Sequence, residues 1–171
     1  FKNGNYIHSD YNIRATITAK VTSEFGVESS FDQMSQYYHV LEGLPVGWSL
    51  DLIVPATQRF SPQTSLQYFA GGYYTRNYWS LSSGVYLKQM SNLLRYLNPS
   101  VIFGGQNSAW DSDVVSGNGI SYGWEARGEY MGKNWSGSLS YTLSKTTRNY
   151  EEINNGYAFP FRFDRRHIMN L

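Results

Sequence analysis

The chain contains no cysteine, which excludes a disulfide scaffold and any thiolate metal site. Charge is scarce: Asp, Glu, Lys and Arg make up 16% of the 171 residues, against about 25% in an ordinary soluble domain. Acids and bases are interspersed and sum to +1. No basic stripe is available for phosphates, so nucleic acid is not an expected partner. His8, His39 and His167 lie far apart in the sequence, with no ligand spacing between them, and no metal or other cofactor is expected. No Gly-x-Ser-x-Gly, Ser-x-x-Lys or phosphate-loop motif occurs, so no catalysis is expected. No apolar run approaches the roughly 18 residues of a membrane helix, and no signal peptide opens the chain.

What the chain has instead is aromatic residues and alternation. Tyr, Phe and Trp make up 17% of the sequence, and they recur at every second position. In the stretch 119–145, Ile120, Tyr122, Trp124, Ala126 and Tyr130 fall on one parity, and Ser121, Glu125, Arg127 and Glu129 on the other. After Gly132-Lys133-Asn134 the pattern repeats, with Trp135, Leu139, Tyr141 and Leu143 against Ser136, Ser138, Ser140, Thr142 and Ser144. Segments 11–21, 25–38, 63–75 and 78–90 alternate in the same way, the last with Trp79, Leu81, Val85 and Leu87 against Lys88, Tyr86 and serines. Strict alternation over this length reads as strands with two unlike faces. The fold class is therefore all-β.

The connections alternate as well. Short turns near Ser23, Asn77 and Lys133 are interleaved with long irregular stretches at 39–62, 92–119 and 146–161. Outer-membrane barrels combine short periplasmic turns with long extracellular loops, and their strands need about 9–11 residues to cross. The expected architecture is thus antiparallel transmembrane β-barrel strands, with the Trp, Tyr and Leu face against lipid and the Ser, Glu and Arg face toward a lumen. About seven or eight strands make only part of a barrel. A soluble antiparallel sheet packed on a core also alternates, so a soluble or surface-anchored glycan-binding β-sandwich is the rival reading.

Several segments carry a resemblance: FDQMSQYYHVL at 31–41, FSPQTSLQYFAGGYY at 60–74, GNGISYGWEARGEY at 117–130, and 136–171 as a whole. Together they resemble the C-terminal half of the barrel in TonB-dependent outer-membrane receptors, in particular the Bacteroidota branch with a carboxypeptidase-like extension. The resemblance covers most of the chain, more weakly before Phe31. It implies that residues 1–171 are part of a receptor barrel whose plug domain and C-terminal strand lie outside this stretch. It further implies residence in the bacterial outer membrane and TonB-energised import. The expected partners are outer-membrane lipid, the TonB complex through the plug, a surface lipoprotein in the glycan-importing branch, and a nutrient ligand of the siderophore, glycan, peptide or cobalamin class.

Candidate residues follow from position. Lys88, Glu125, Arg127 and Glu129 are expected on the lumen wall, where they either guide a ligand or form a cross-strand charge ladder. Trp48, Phe103, Trp110, Asp111, Asp113 and Tyr157 fall in the long connections and are the ligand-binding candidates, because flat aromatic rings stack on ligand faces. The same aromatics suit packing of the loops on one another. Asp111 and Asp113 lack the glycine and distal glutamate of a calcium loop.

Overall fold

The computed structural model describes residues 9–41, 52–97, 111 and 113–171. Trp48, Phe103 and Trp110 lie outside the described residues. The architecture is all-β and antiparallel, with no α-helix among the described residues. The strands are β1 (Ile13–Lys20), β2 (Phe25–Gln36), β3 (Tyr38–Val40), β4 (Ile53–Pro55), β5 (Gln63–Arg76), β6 (Trp79–Tyr96), β7 (Val114–Met131), β8 (Ser136–Asn149), β9 (Phe159–Pro160) and β10 (His167–Asn170). One sheet runs β1-β2-β5-β6-β7-β8-β10, with β9 added to β8, and β3 and β4 pair separately.

Because β1, β2, β5, β6, β7, β8 and β10 form a meander, every short turn sits at one end of the sheet and every long connection at the other. The β5–β6 turn needs only Asn77 and Tyr78, and Asn77 takes a left-handed φ of 53° there. Asparagine tolerates that region better than other residues with a Cβ. Thr22 closes the first turn by accepting from the Glu24 and Phe25 amides at 3.2 and 2.9 Å.

The register keeps each face continuous across the sheet. Val85 stands opposite Ala70 on one side and Trp124 on the other, and Trp124 opposite Leu143. Tyr68 links Phe31 to Leu87, and Leu87 faces Tyr122. The opposite face carries Lys88 against Gln67 and Ser121, Glu125 against Gly84 and Thr142, and Arg127 against Ser82 and Ser140. The expected parity therefore holds over all long strands, from Ile17 in β1 to Met169 in β10.

Both faces are open over the lower two thirds of the sheet, and the apolar one exposes large side chains: Ile17, Trp79, Val85, Trp124 and Leu139 are each more than 40% accessible. The core lies at the loop end. There β6 carries a bulge between Met90 and Leu93, with Asn92 at φ 59° and its side-chain amide donating to the Pro62 carbonyl at 2.8 Å. The extra residue resets the parity of β6. Beyond it Leu94 and Tyr96 pack with Val114, Leu41, Val54 and Phe60. Leu93 turns the other way, into a cluster with Met90, Val115 and Tyr150, against which Ile153 and Phe159 pack.

The irregular stretch expected over 92–119 is corrected accordingly: β6 continues to Tyr96 and β7 begins at Val114. Both faces are covered there, so the residues read as apolar doublets and the period-two signal is lost. Likewise the connection 39–62 contains β3 and β4, and β8 extends to Asn149 rather than ending at Lys145.

Close approach of neighbouring strands requires glycine at position 123. A Cβ at Gly123 would stand 2.7 Å from the Leu143 carbonyl oxygen and 2.8 Å from the Tyr86 ring, which lies across β7. At Gly137 nothing stands within 4 Å of the same atom. Gly123→Ala is expected to destabilise the sheet by about 1–3 kcal/mol through overpacking, and Gly137→Ala to leave it nearly unchanged. Urea unfolding of the two variants side by side measures the difference.

Candidate functional site

Two regions hold the sequence candidates: the polar face and the loop end. Lys88, Glu125, Arg127 and Glu129 all share the polar face. Arg127 forms an ion pair with Glu129, two positions along the same strand. Glu125 and Lys88 make no ion pair among the described residues. Among the described residues the one register-matched ion pair across strands is at the β1 edge, where Arg14 pairs with Asp32 of β2. Arg162, Asp164, Arg165 and Arg166 lie beyond β8 and form no ion pair with Glu125 or Glu129; Arg166 pairs with Asp164 at 3.8 Å.

The middle of the polar face is a shallow depression of about 400 Å³, lined by Glu28, Phe69, Tyr73, Glu125, Arg127 and Thr142 among others. Its floor is low because Gly71 and Gly84 stand opposite each other there and the Phe69 ring lies against both. A second hollow of about 500 Å³ lies toward the β1 edge, between Arg14, Met34, Gln63 and Lys88. Hydroxyl groups dominate the β8 side, and Ser121 and Thr146 are hydrogen bonded to each other at 2.9 Å. This wall offers alternating donors, acceptors and a few fixed charges, and no cluster of His, Asp or Glu among the described residues could hold a metal.

At the loop end the candidates separate. Asp111 is half-buried and pairs with Arg59 at 3.5 Å. Asp113 closes the base of its loop, its carbonyl accepting from the Leu97 amide at 2.9 Å. Tyr157 is 72% accessible and stands after the short 3₁₀ turn Asn154–Gly156. Of the other loop aromatics, Tyr150 is fully buried and stacks with Phe159 at 6.1 Å, so both serve packing. Tyr37 accepts from the Asp10 amide at 3.1 Å, and Tyr38 is exposed.

Sequence reasoning passed over His39 and Tyr96. His39 stands opposite Val54 in the β3–β4 pair and is 1% accessible. Burial lowers its pKa, and the Ser61 backbone acts in the opposite, smaller sense. Burial raises the Tyr96 pKa, with Asp111 adding to it. Neither has a local signal, since a histidine in a Pro- and Gly-rich stretch looks like solvated loop.

A lowered pKa in the fold means that the unfolded lobe binds the proton better, so stability falls as pH drops below the ordinary value of 6.5. The protection factors of the amides over residues 38–41 and 53–60, taken relative to the intrinsic exchange rate at each pH, should therefore fall between pH 8 and pH 5. His39→Phe should flatten that dependence.

Comparison of the chain with protein-family models, with characterised proteins and with solved structures gave no match.

Proposed function

We propose that this chain is a section of the wall of a plugged outer-membrane β-barrel that imports a nutrient, with energy delivered through TonB. The observation that carries the reading is the two-faced sheet. A mainly apolar, aromatic face runs from β1 to β10, a polar face lies behind it, and all short turns are at one end. A soluble monomer rarely exposes an apolar patch beyond a few hundred Å², whereas lipid is the natural cover for a face of this kind.

Three features support the assignment. First, aromatic rings gather at two levels of the apolar face. At the turn end Tyr130 stacks on Trp135 at 4.0 Å and meets Trp79 at 4.9 Å, with Phe25 and Tyr74 paired on the same face. Toward the loop end Phe31 meets Tyr68 at 5.3 Å, and Tyr122 follows beyond Leu87. Tyr130 and Tyr122 mark the two levels on β7, about 27 Å apart along the strand at about 3.4 Å per residue. At a tilt of about 40° that is about 21 Å of height, near the roughly 25 Å apolar band of a barrel.

Second, the polar groups of Trp124 and Tyr141 in the middle of the apolar face are paired. The Trp124 indole donates to the Ser83 hydroxyl at 2.8 Å, and the Tyr141 hydroxyl meets His167 Nδ1 at 2.7 Å. Unpaired, such groups would be costly in hydrocarbon. Third, β1 and β10 are open edges, which in a bilayer must join further strands of the same wall.

In this reading the polar face lines the lumen, where its hydroxyls and fixed charges face the plug and the passing solute, and import needs no covalent step. The lobes at the loop end face the exterior. Nitroxide labels at Val85→Cys and Leu139→Cys should relax with oxygen dissolved in lipid, and a label at Ser82→Cys with an aqueous nickel chelate. Equal aqueous access for all three, in the full-length barrel reconstituted in vesicles, would overturn the lipid assignment.

A further inference from the structure

The apolar face bears two cations at its loop-end border. Lys145 pairs in register with Tyr122, which places it on the apolar face at the upper aromatic level. The β8–β10 ladder pairs His167 with Leu143, and the Ser144 amide continues it by donating to the Arg166 carbonyl at 3.0 Å. Continued one step past that hydrogen bond, the register brings the Arg165 backbone level with Lys145. The Ser144 hydroxyl donates to the Arg165 carbonyl at 3.1 Å and holds that backbone.

Neither cation has an acidic partner among the described residues. Asp164, the nearest acid in sequence, accepts from the Thr146 amide at 2.8 Å and pairs with Arg166. Among the described residues no carboxylate lies within ion-pair distance of Lys145 or Arg165. The contrast with the turn end is informative. There the cation Arg76, opposite Trp79 on the same face, is held by Glu24 at 3.4 Å.

We propose that Lys145 and Arg165, with the neighbouring Tyr122 hydroxyl as a further donor, bind the phosphate headgroup of an anionic lipid in the leaflet at the loop end. The proposal rests on the lipid-facing reading of this sheet face. Cations on adjacent strands lie about 5 Å apart at the backbone, close enough to share one phosphate, and guanidinium binds phosphate oxygens in a bidentate fork. One row below, Leu143, Trp124 and Val85 stand side by side as an apolar strip along which acyl chains can lie. That strip selects a lipid phosphate over a free one.

The test uses the full-length barrel in vesicles made of equal parts phosphatidylcholine and phosphatidylglycerol, followed by native mass spectrometry of the lipids retained. Phosphatidylglycerol should be enriched about five- to tenfold. The enrichment should be lost in the Lys145→Gln/Arg165→Gln variant and kept in Lys88→Gln, which removes one charge from the opposite face. Each single variant should lose part of it, which guards against misfolding of the double variant. Inorganic phosphate in excess should leave the enrichment intact; if it abolishes it, the site is one for free anions and the proposal falls. Equal retention of the two lipids overturns it as well. If Val85→Cys then still reports lipid contact, only the headgroup site is lost. If it reports water, the lipid-facing reading fails with it.

Discussion

Ala126→Arg, on the proposed lipid-facing reading, is expected to destabilise the inserted barrel by about 2–4 kcal/mol, the penalty of a cation at the bilayer midplane. Ala126 lies midway between the two aromatic levels of β7, opposite Ser83 and Tyr141. Leu139→Arg, one pair from the turn-end aromatic level, should cost less, because the penalty falls to about 0–1 kcal/mol near the interface. Its sequence neighbour Ser138 points to the other face, opposite Glu129. Ser138→Arg places a guanidinium beside a carboxylate in water, and its expected effect is within about 0.5 kcal/mol of zero. Folding titrations into vesicles measure all three. The ordering Ala126, Leu139, Ser138 tests depth and face together, and equal losses at Leu139 and Ser138 would show that the two faces share one environment.

The second large effect is on uptake. Replacing residues 98–112 with a two-residue turn should abolish import while leaving the barrel inserted. The loop can be bridged because its base is already closed: the Leu97 amide donates to the Asp113 carbonyl at 2.9 Å. Few buried backbone hydrogen bonds are expected to cross such a connection, although the ion pair of Asp111 with Arg59 is lost. Extending the deletion to Asn118 has a different outcome. It removes Val114 and Val115, which are 3% and 8% accessible in the two clusters of the loop end, and the lobes on both faces should unfold. Uptake and co-purification of any lipoprotein partner, measured on the shorter deletion, separate the two roles open to the loop. Loss of uptake alone points to ligand contact, loss of both to closure on the partner, and normal values for both would leave the loop with no role in import.

The existence of the long strands, their two faces below the β6 bulge and the turn ends were legible in the sequence. Each rests on local rules. One face of β5–β8 is open to its surroundings, so period-two alternation survives intact in residues such as Trp79, Leu81, Val85 and Leu87. Asn77 and the Gly132–Trp135 connection announce tight turns. The charged set Lys88, Glu125, Arg127 and Glu129 could be placed on one face by parity alone. The Arg127–Glu129 pair within β7, rather than a ladder across strands, was decided only by side-chain geometry.

The loop end was decided by tertiary structure. Past the bulge at Met90–Leu93 the parity of β6 resets and both faces are covered, so Leu93, Leu94, Val114 and Val115 carry no alternation to read. The covering lobes come from β3 and β4 on one side and from Tyr150 to Phe159 on the other, segments distant in sequence that no window can join. His39 is buried, and Tyr150 fully so, for the same reason. The proposed neighbourhood of Lys145 and Arg165 likewise needs the β8–β10 register, because a cation on an apolar face has meaning only once its neighbour across the strand is known. The sequence by itself determined what is local and periodic; the burial that depends on which segments meet across the sheet came only with the tertiary structure.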